Sequence, residues 1–369
     1  MQRSLASQIQ RDLQRKMVFV GGPRQVGKTT LARTLVGDPV GYLNWDVPYD
    51  RERILRGELP LAPLLALDEI HKYRDWRSFV KGLYDGRREG QQILVTGSAR
   101  LDWYRHGGDS LQGRYHYLRL HPLSVAEVGI RDLAGFQQLM VLGGFPEPFL
   151  GGSEDEARRW SREYRVRLLE EDVRDLERVS DLGRLERMML RLPELVGSPL
   201  SLNALSEDMQ VSHRAVSHWV EILERLYAIF RVPPFGTDRI RAVKKAQKHY
   251  QVDWTLVTDP GARLENLVAC HLLKWVHHQQ DVHGREVELR YVRDLDGREI
   301  DFVLVEQGRP LEFIEVKLTS TSVPAALRLL KSKHPEAGAT LLVGDDRPAA
   351  RSLDGIEIRS AWSYLGGLV

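Results

Sequence analysis

Short apolar runs alternate with amphipathic stretches through the amino-terminal third of the chain. The runs are MVFV at 17–20, VGYLNWD at 40–46, LAPLLALDEI at 61–70, QQILVTGS at 91–98 and YHYLRLHPL at 115–123. Runs of this kind are typical of buried strands, and helical stretches such as DWRSFVKGLYDGRRE lie between some of them. The pattern predicts a parallel sheet covered by helices on both faces, with any ligand at the carboxyl ends of its strands.

The pattern changes after this region. Residues 124–180 have the spacing of helices, and 202–232 predict two helices joined by a turn at 210–212, with Ser212 as the cap of the second helix. Further along, an amphipathic helix follows Gly261, and the runs EIDFVLV and LEFIEVKL flank Gln307 and Gly308. The last two runs predict a β-hairpin.

Composition limits the class of protein and its compartment. The 53 basic and 51 acidic residues give a net charge of +2, so any nucleic-acid site must be local. The single cysteine, Cys270, excludes an internal disulfide and a multi-cysteine metal cluster. The amino terminus lacks an apolar core, and no run approaches 18 apolar residues, so we expect a cytoplasmic protein without a membrane partner.

The segment GGPRQVGKTT at 21–30 predicts a phosphate-binding loop between a strand and a helix. The glycines allow the backbone N–H groups to face one concavity, and the positive end of the helix faces the same point. Lys28 would contact the β- and γ-phosphates of ATP, and the Thr29 hydroxyl would bind Mg²⁺. The predicted nucleotide-binding residues are Gly22, Pro23, Arg24, Gln25, Val26, Gly27, Lys28, Thr29 and Thr30.

Polar residues at the ends of two later strands complete this prediction. Asp68 would hold Mg²⁺ through water, and Glu69 would orient the attacking water, because phosphoryl transfer needs charge neutralisation and positioning. Thr96 or Ser98 could contact the γ-phosphate or that water. A strand-ending turn stabilised by hydroxyl groups is the alternative for this pair.

The segments GGPRQVGKTT, LLALDEIHKYRDW, ILVTGSAR, SLQGRYHYLRLHPLSVAEV and GGFPEPF occur in this order. Together they resemble bacterial and archaeal predicted ATPases of the AAA+ class that carry a C-terminal domain of unknown function, over about residues 5–350. The resemblance implies a helical lid over the nucleotide. It also makes Arg114 a candidate catalytic finger, acting in trans, or a sensor. A finger in trans requires a homo-oligomer, with a hexamer as one form, whereas an exposed arginine that starts a strand is the alternative.

The two-helix segment predicts a winged helix that contacts DNA or separates protein partners. A DNA reader would present the residues at the start of its second helix, which are His213, Arg214, Ser217 and His218. The basic stretch that follows could contact the phosphate backbone through Arg231, Arg239, Arg241, Lys244, Lys245 and Lys248. Winged helices also serve as spacers between proteins, so both interpretations stay open.

The hairpin could carry a second metal site. Glu315 and Lys317 alternate onto one face, and Asp301 on the partner strand could lie beside them and hold a divalent ion with a nucleophilic water. With Glu265 on the preceding helix, the arrangement resembles the PD-(D/E)xK nuclease fold, although Ile300 replaces the usual proline before Asp301. An exposed, salt-bridged hairpin is the alternative.

These patterns and resemblances predict an α/β chain with a P-loop NTPase core of AAA+ type at 1–123. A helical lid at 124–180, a winged helix at 181–255 and a nuclease-like α/β domain at 256–369 would follow. Our first hypothesis is an oligomeric ATPase that uses ATP and Mg²⁺ to act on DNA, with branched DNA suggested by analogy to branch-migration motors. The alternatives are a nucleotide-controlled switch on a protein partner and a metal-dependent DNA nuclease gated by ATP.

Overall fold

The computed structural model describes residues 3–97, 101, 111–173, 181–236, 247–293, 297–320, 322–346 and 351–369. The chain divides into an amino-terminal unit, Met1–Pro122 with Asp281–His283, and a carboxy-terminal unit, Leu123–Gln280 with Gly284–Val369. Within the described ranges, no helix is both long and apolar enough to span a lipid bilayer.

The amino-terminal unit contains the predicted parallel sheet. Its strands are β1 (Met17–Gly21), β2 (Tyr42–Asn44), β3 (Leu64–Asp68), β4 (Gln92–Thr96) and β5 (Tyr115–Arg119). They pair in parallel in the order β2-β3-β4-β1-β5. Both faces of β1 are buried, because Met17 and Phe19 pack in one apolar core while Val18 and Val20 pack in another. The predicted sheet is confirmed, and β2, β3, β4 and β5 are shorter than the apolar runs that predicted them.

Among the described residues, the helices of this unit are α1 (Ala6–Leu13), α2 (Lys28–Val36), α3 (Pro48–Arg56) and α4 (Trp76–Asp85). Short 3₁₀ turns at Pro39–Gly41 and Ile70–Lys72 lie between them. Helix α3 begins with a proline and ends at Gly57, which has a left-handed backbone. These are the residues that most readily start and stop a helix, so the sequence determines both ends of α3 locally.

The carboxy-terminal unit begins with α5 (Val125–Val128), α6 (Leu133–Leu142), α7 (Pro146–Gly151), α8 (Glu154–Arg167) and α9 (Leu182–Arg191). A π-helical turn, Leu168–Val173, follows α8, and a 3₁₀ turn, Leu192–Leu195, follows α9. The predicted helix pair is confirmed as α10 (Leu202–Met209) and α11 (His213–Arg225), with the Ser212 side chain accepting the Ala215 N–H. Strands β6 (Ile229–Val232) and β7 (Lys248–Gln251) then pair in antiparallel fashion, and a 3₁₀ turn follows at Trp254–Leu256.

A long helix and a mixed sheet complete this unit. Helix α12 is Pro260–His283, and the strands are β8 (Val287–Arg293), β9 (Glu299–Glu306), β10 (Arg309–Lys317), β11 (Gly338–Val343), β12 (Arg351–Leu353) and β13 (Ile356–Ser360). Their order is β12-β13-β11-β10-β9-β8, with α13 (Ala325–Lys333) and α14 (Ala361–Leu365) between or after them. The predicted hairpin is confirmed as β9 and β10, since Gln307 and Gly308 both have the positive φ of a tight hairpin turn.

A buried histidine lies in the core of the carboxy-terminal unit. His271 on α12 contacts the Leu267 carbonyl through Nδ1 at 2.8 Å, and its Nε2 accepts the Val125 N–H at 3.0 Å. Since Nε2 is an acceptor, Nδ1 carries the proton and the ring is neutral. Burial lowers the pKa of His271 to about 4; the Leu267 carbonyl and Glu127 oppose this shift and Lys274 adds to it.

The free energy of unfolding is therefore expected to fall as the pH drops from 6.5 toward 4. The unfolded chain binds this proton more readily than the folded chain, so stability is complete above pH 6.5 and decreases by about 3 kcal/mol below the folded pKa. Buried His249, whose pKa is also lowered to about 4, adds a change of the same sign. Denaturant unfolding measures the free energy of unfolding at each pH. This free energy should fall less steeply with decreasing pH for His271→Gln than for wild type. His213→Gln, at an exposed position, is the control, and equal slopes in all three proteins would contradict the assignment.

Candidate functional site

The loop between β1 and α2 has the backbone of a preformed phosphate cradle. Gly22, Gln25 and Gly27 all have positive φ, at 148°, 58° and 99°. A Cβ atom on Gly22 would lie 2.2 Å from the Leu120 carbonyl oxygen, so this position requires glycine. The loop therefore reaches the start of α2 in a conformation that a chain without these glycines would resist.

Lys28 is held over this loop. Its buried ammonium donates to the carbonyl oxygens of Gly22 at 2.9 Å and Pro23 at 2.5 Å. These contacts compensate a charge that would otherwise be costly to bury, and they keep Nζ at the rim of the cradle. A phosphate bound there would meet a positioned cation.

The Asp68 carboxylate accepts hydrogen bonds from three hydroxyl groups. Oδ2 accepts from Thr29 Oγ1 and from the Tyr42 hydroxyl, each at 2.6 Å, while Oδ1 accepts from Thr96 Oγ1 at 2.5 Å. Burial, together with Asp68, raises the pKa of Tyr42 to about 12, so Tyr42 remains a donor. Three donors around an acceptor-only group fix the carboxylate beside the first turn of α2.

These oxygen atoms fit a magnesium ion. Mg²⁺ is usually bound by one or two side-chain oxygens together with water and the substrate phosphates. Thr29 and Asp68 offer such a pair at the rim of the loop, and Thr96 orients the carboxylate from the neighbouring strand.

Glu69 follows Asp68 in a left-handed conformation, with φ 57° and ψ 19°. This conformation costs a non-glycine residue about 1 kcal/mol or more, and such strain is common at functional sites. The Glu69 carboxylate lies 3.4 Å from Lys72 Nζ and 3.6 Å from His71 Nε2. Burial raises the pKa of Glu69, while Lys72 and Lys28 partly oppose that shift. The raised pKa makes this carboxylate a better proton acceptor than an exposed glutamate.

Two contacts in this site were not predicted. Tyr42 lies 26 positions before Asp68 on a strand of three residues, and no motif spacing marks it. Only the pairing of β2 with β3 brings the two together. Thr96 was one of two candidate hydroxyls and contacts Asp68, whereas Ser98 lies outside the described residues.

Arg114 lies at the opposite edge of the sheet. It precedes β5, whose first residue pairs with Met17 at the start of β1, whereas the phosphate loop follows the end of β1. The five residues of β1 separate the amino ends of the strands, where Arg114 lies, from the phosphate loop at their carboxyl ends by about 16 Å. Its guanidinium binds Asp85 at 2.9 Å. A sensor role in its own nucleotide site is therefore wrong, and a role in a neighbouring subunit stays a prediction.

The predicted DNA-facing residues on α11 lie at its first turns. His213 and Arg214 are exposed and Ser217 and His218 half-buried, while Val216, Trp219, Val220, Ile222 and Leu223 pack inward. In the basic stretch, Arg231 pairs with Glu224. Arg239, Arg241, Lys244 and Lys245 lie outside the described residues.

Lys248 does not belong to an exposed basic surface. Its side chain is fully buried, and Nζ lies 2.6 Å from Glu299, 3.3 Å from Glu265 and 3.5 Å from Asp301. The prediction that Lys248 contacts DNA is wrong, because carboxylates from α12 and β9 surround its ammonium. Lys248 follows a basic stretch in the sequence, but on β7, which pairs with β6, its side chain is buried.

The predicted second site residues do lie together. Glu315 accepts the Asp301 N–H at 3.3 Å and binds Lys317 Nζ at 2.6 Å, and Lys248 links Asp301 to Glu265. The alternative of an exposed hairpin is wrong here, since Asp301 and Glu315 are both buried. Burial, followed by the charge of Asp301, raises the pKa values of Glu265 and Glu315 to about 7. With the side chains as they stand, no group of three or more His, Cys, Asp or Glu residues in the described ranges is arranged to hold a metal ion.

Comparison with known families places the amino-terminal unit in a class. Residues 14–129 match a family model described as an AAA domain. With the sheet order and the loop geometry, this match defines an AAA-type P-loop ATPase domain. Residues 133–259 and 260–361 match two models described as domains of unknown function, DUF8612 and DUF4143. The division into lid, winged helix and nuclease-like domain stays a prediction.

Curated relatives and solved structures give partial likenesses. Two uncharacterised proteins, from Mycobacterium bovis and Mycobacterium tuberculosis, are each 26% identical over 343 residues, which is 89% of this chain and 76% of each relative. A Walker-type ATPase of Pyrococcus abyssi covers 68% of this chain and 93% of its own, at 13% identity and a TM-score of 0.39. A RuvB variant of Thermotoga maritima covers 63% of this chain and 90% of its own, at 17% identity and a TM-score of 0.30. The class assignment depends on the domain match and the site geometry, and not on these superpositions.

Proposed function

We propose that this chain hydrolyses ATP to ADP and phosphate in the presence of Mg²⁺. The observation that carries the proposal is the 2.6 Å contact between Thr29 and Asp68 at the rim of the glycine loop. This contact joins the start of α2 to the end of β3, which are the two elements that a magnesium-nucleotide site requires. Lys28, held at the same rim, supplies the cation for the phosphates.

Each residue of the site has a separate role in this proposal. Thr29 and Asp68 would hold the magnesium ion, which neutralises charge on the β- and γ-phosphates when bound. Glu69 would orient the attacking water and accept its proton, since its half-buried carboxylate directly follows Asp68 at the end of β3 and has a raised pKa. Thr96 and Tyr42 keep Asp68 in position through their hydroxyl groups.

We further propose that the chain acts on DNA through the start of α11. This proposal is supported by the exposure of His213 and Arg214 at the first turn, with the apolar face of the helix packed inward. ATP turnover measured with duplex, single-stranded and branched DNA would test the link between the two activities. Assembly into a homo-oligomer, with Arg114 reaching a neighbouring site, belongs to the same proposal.

Arg214→Ala is expected to weaken duplex DNA binding by about tenfold at low salt, because it removes one charged contact. Fluorescence anisotropy with a labelled duplex measures the affinity. Arg225→Ala is the matched control, since Arg225 is exposed at the other end of the same helix. Equal losses in both variants, or no DNA binding by wild type, would contradict the proposed surface.

A nucleotide-controlled switch acting on a protein partner is the second candidate. The observations that favour it are the pairing of Arg231 with Glu224 and the burial of Lys248, because both reduce the basic surface available to DNA. ATP turnover that is indifferent to every form of DNA, together with retained nucleotide binding, would support the switch over the DNA motor.

A further inference from the structure

Four carboxylates meet in the carboxy-terminal unit around one buried lysine. We call Glu265, Glu299, Asp301 and Glu315 the carboxylate cluster. Helix α12 supplies Glu265, strand β9 supplies Glu299 and Asp301, and strand β10 supplies Glu315. Lys248 reaches the cluster from β7, and its Nζ lies within 3.5 Å of the first three carboxylates.

The nuclease resemblance implies that a divalent ion binds these residues, but their contacts do not fit one. A Mg²⁺ or Ca²⁺ ion needs carboxylate oxygens about 2.0–2.6 Å away. Lys248 already contacts Oε1 of Glu265 and Oδ1 of Asp301, so an ion bound to these two carboxylates would lie beside an ammonium of the same sign of charge. The cluster therefore already contains the cation that would compete with a metal.

We infer that Lys248 is the resident cation of the carboxylate cluster and that, while Lys248 is in place, the cluster is an ion-pair centre rather than a divalent-metal nuclease site. The ammonium joins β7 to α12 and β9, so one side chain ties the β6–β7 pair to the larger sheet. Lys317 neutralises the remaining carboxylate, Glu315, from the more exposed side.

The surroundings of the ammonium keep it charged and in place. Burial alone would lower the pKa of Lys248, but Glu265, Asp301 and Glu299 outweigh that effect and raise it. Glu265 is itself fixed, because the Tyr250 hydroxyl donates to its Oε1 at 2.7 Å. Gly197 packs against the other oxygen of Glu265. A Cβ atom added to Gly197 would lie 3.0 Å from Glu265 Oε2. The lysine and the carboxylates thus hold each other in one arrangement.

The test measures Mn²⁺ binding to the full chain in the absence of nucleotide. Electron paramagnetic resonance detects the free and bound Mn²⁺. All variants carry Asp68→Asn, which weakens metal binding at the phosphate loop. We expect Lys248→Met to gain an Mn²⁺ site at least about tenfold tighter than any in the Asp68→Asn parent, because it opens the carboxylates to a metal. Lys317→Met, which removes the ammonium that contacts Glu315, is the control and should gain none.

Two results would overturn the inference. One is an Mn²⁺ site in the Asp68→Asn parent that Asp301→Asn removes; the other is a folded Lys248→Met protein that gains no site. Circular dichroism reports folding. If Lys248→Met does not fold, Lys248→Met/Glu299→Gln replaces it, because losing one carboxylate offsets the lost ammonium and leaves Glu265, Asp301 and Glu315. A parent without an Asp301-dependent site, together with a gained site in the folded lysine variant, supports the inference.

Discussion

Replacing Glu69 by glutamine is expected to lower kcat for ATP hydrolysis by about a hundredfold or more. Glutamine keeps the size of the side chain and tolerates the same backbone, but it accepts no proton from the attacking water. The affinity for ATP should stay within about twofold, because Glu69 contacts the water and not the phosphates in this proposal. Phosphate release at saturating ATP measures kcat, and nucleotide titration measures affinity.

Glu58→Gln is the matched control for this change. Glu58 is exposed and lies ahead of β3, so its replacement should leave kcat unchanged. If Glu69→Gln kept wild-type turnover, the assignment of Glu69 as the proton acceptor would be wrong. If it lost ATP affinity and turnover together, Glu69 would instead act in binding.

Lys28→Ala is expected to lower kcat/KM for ATP by about a thousandfold to ten-thousandfold. The loss of one charge-assisted contact weakens ATP binding by about tenfold to a hundredfold. The same ammonium stabilises charge that develops on the transferred phosphate, and removing such a group costs about a further hundredfold in kcat. Turnover measured over a range of ATP concentrations separates the two parts.

Arg88→Ala removes a cation of the same unit and serves as the comparison. Arg88 is exposed and precedes β4, at the amino edge of the sheet, so we expect kinetics like wild type. A Lys28→Ala protein with wild-type kcat/KM would rule out the phosphate loop as the site of hydrolysis.

Local signals in the sequence were sufficient to predict the parallel sheet, the helix pair and the hairpin. Gly22 and Gly27 marked the loop, Ser212 marked the start of α11, and Gln307 with Gly308 marked the hairpin. Each of these features depends on neighbouring residues, because backbone conformation and capping are decided within a few positions. The parallel sheet followed from buried runs that alternate with helices.

The contacts that sequence reasoning missed all join distant elements. Lys248 follows a basic stretch, and only the pairing of β6 with β7 shows that its side chain enters the carboxylate cluster. Tyr42 reaches Asp68 because β2 pairs with β3. Arg114 differs, since its position before a strand parallel to β1 could have placed it at the amino edge. Strand register and burial determine which of these side chains meet, and residue type alone does not.

Calorimetric titration of the full chain with ATP, with and without Mg²⁺, tests the central claim most directly. We expect one saturable ATP site per chain, with tighter binding in the presence of Mg²⁺ than in its absence, because Thr29 and Asp68 hold the ion against the phosphates. Absence of saturable heat under both conditions, or an affinity that Lys28→Ala leaves unchanged, would contradict it.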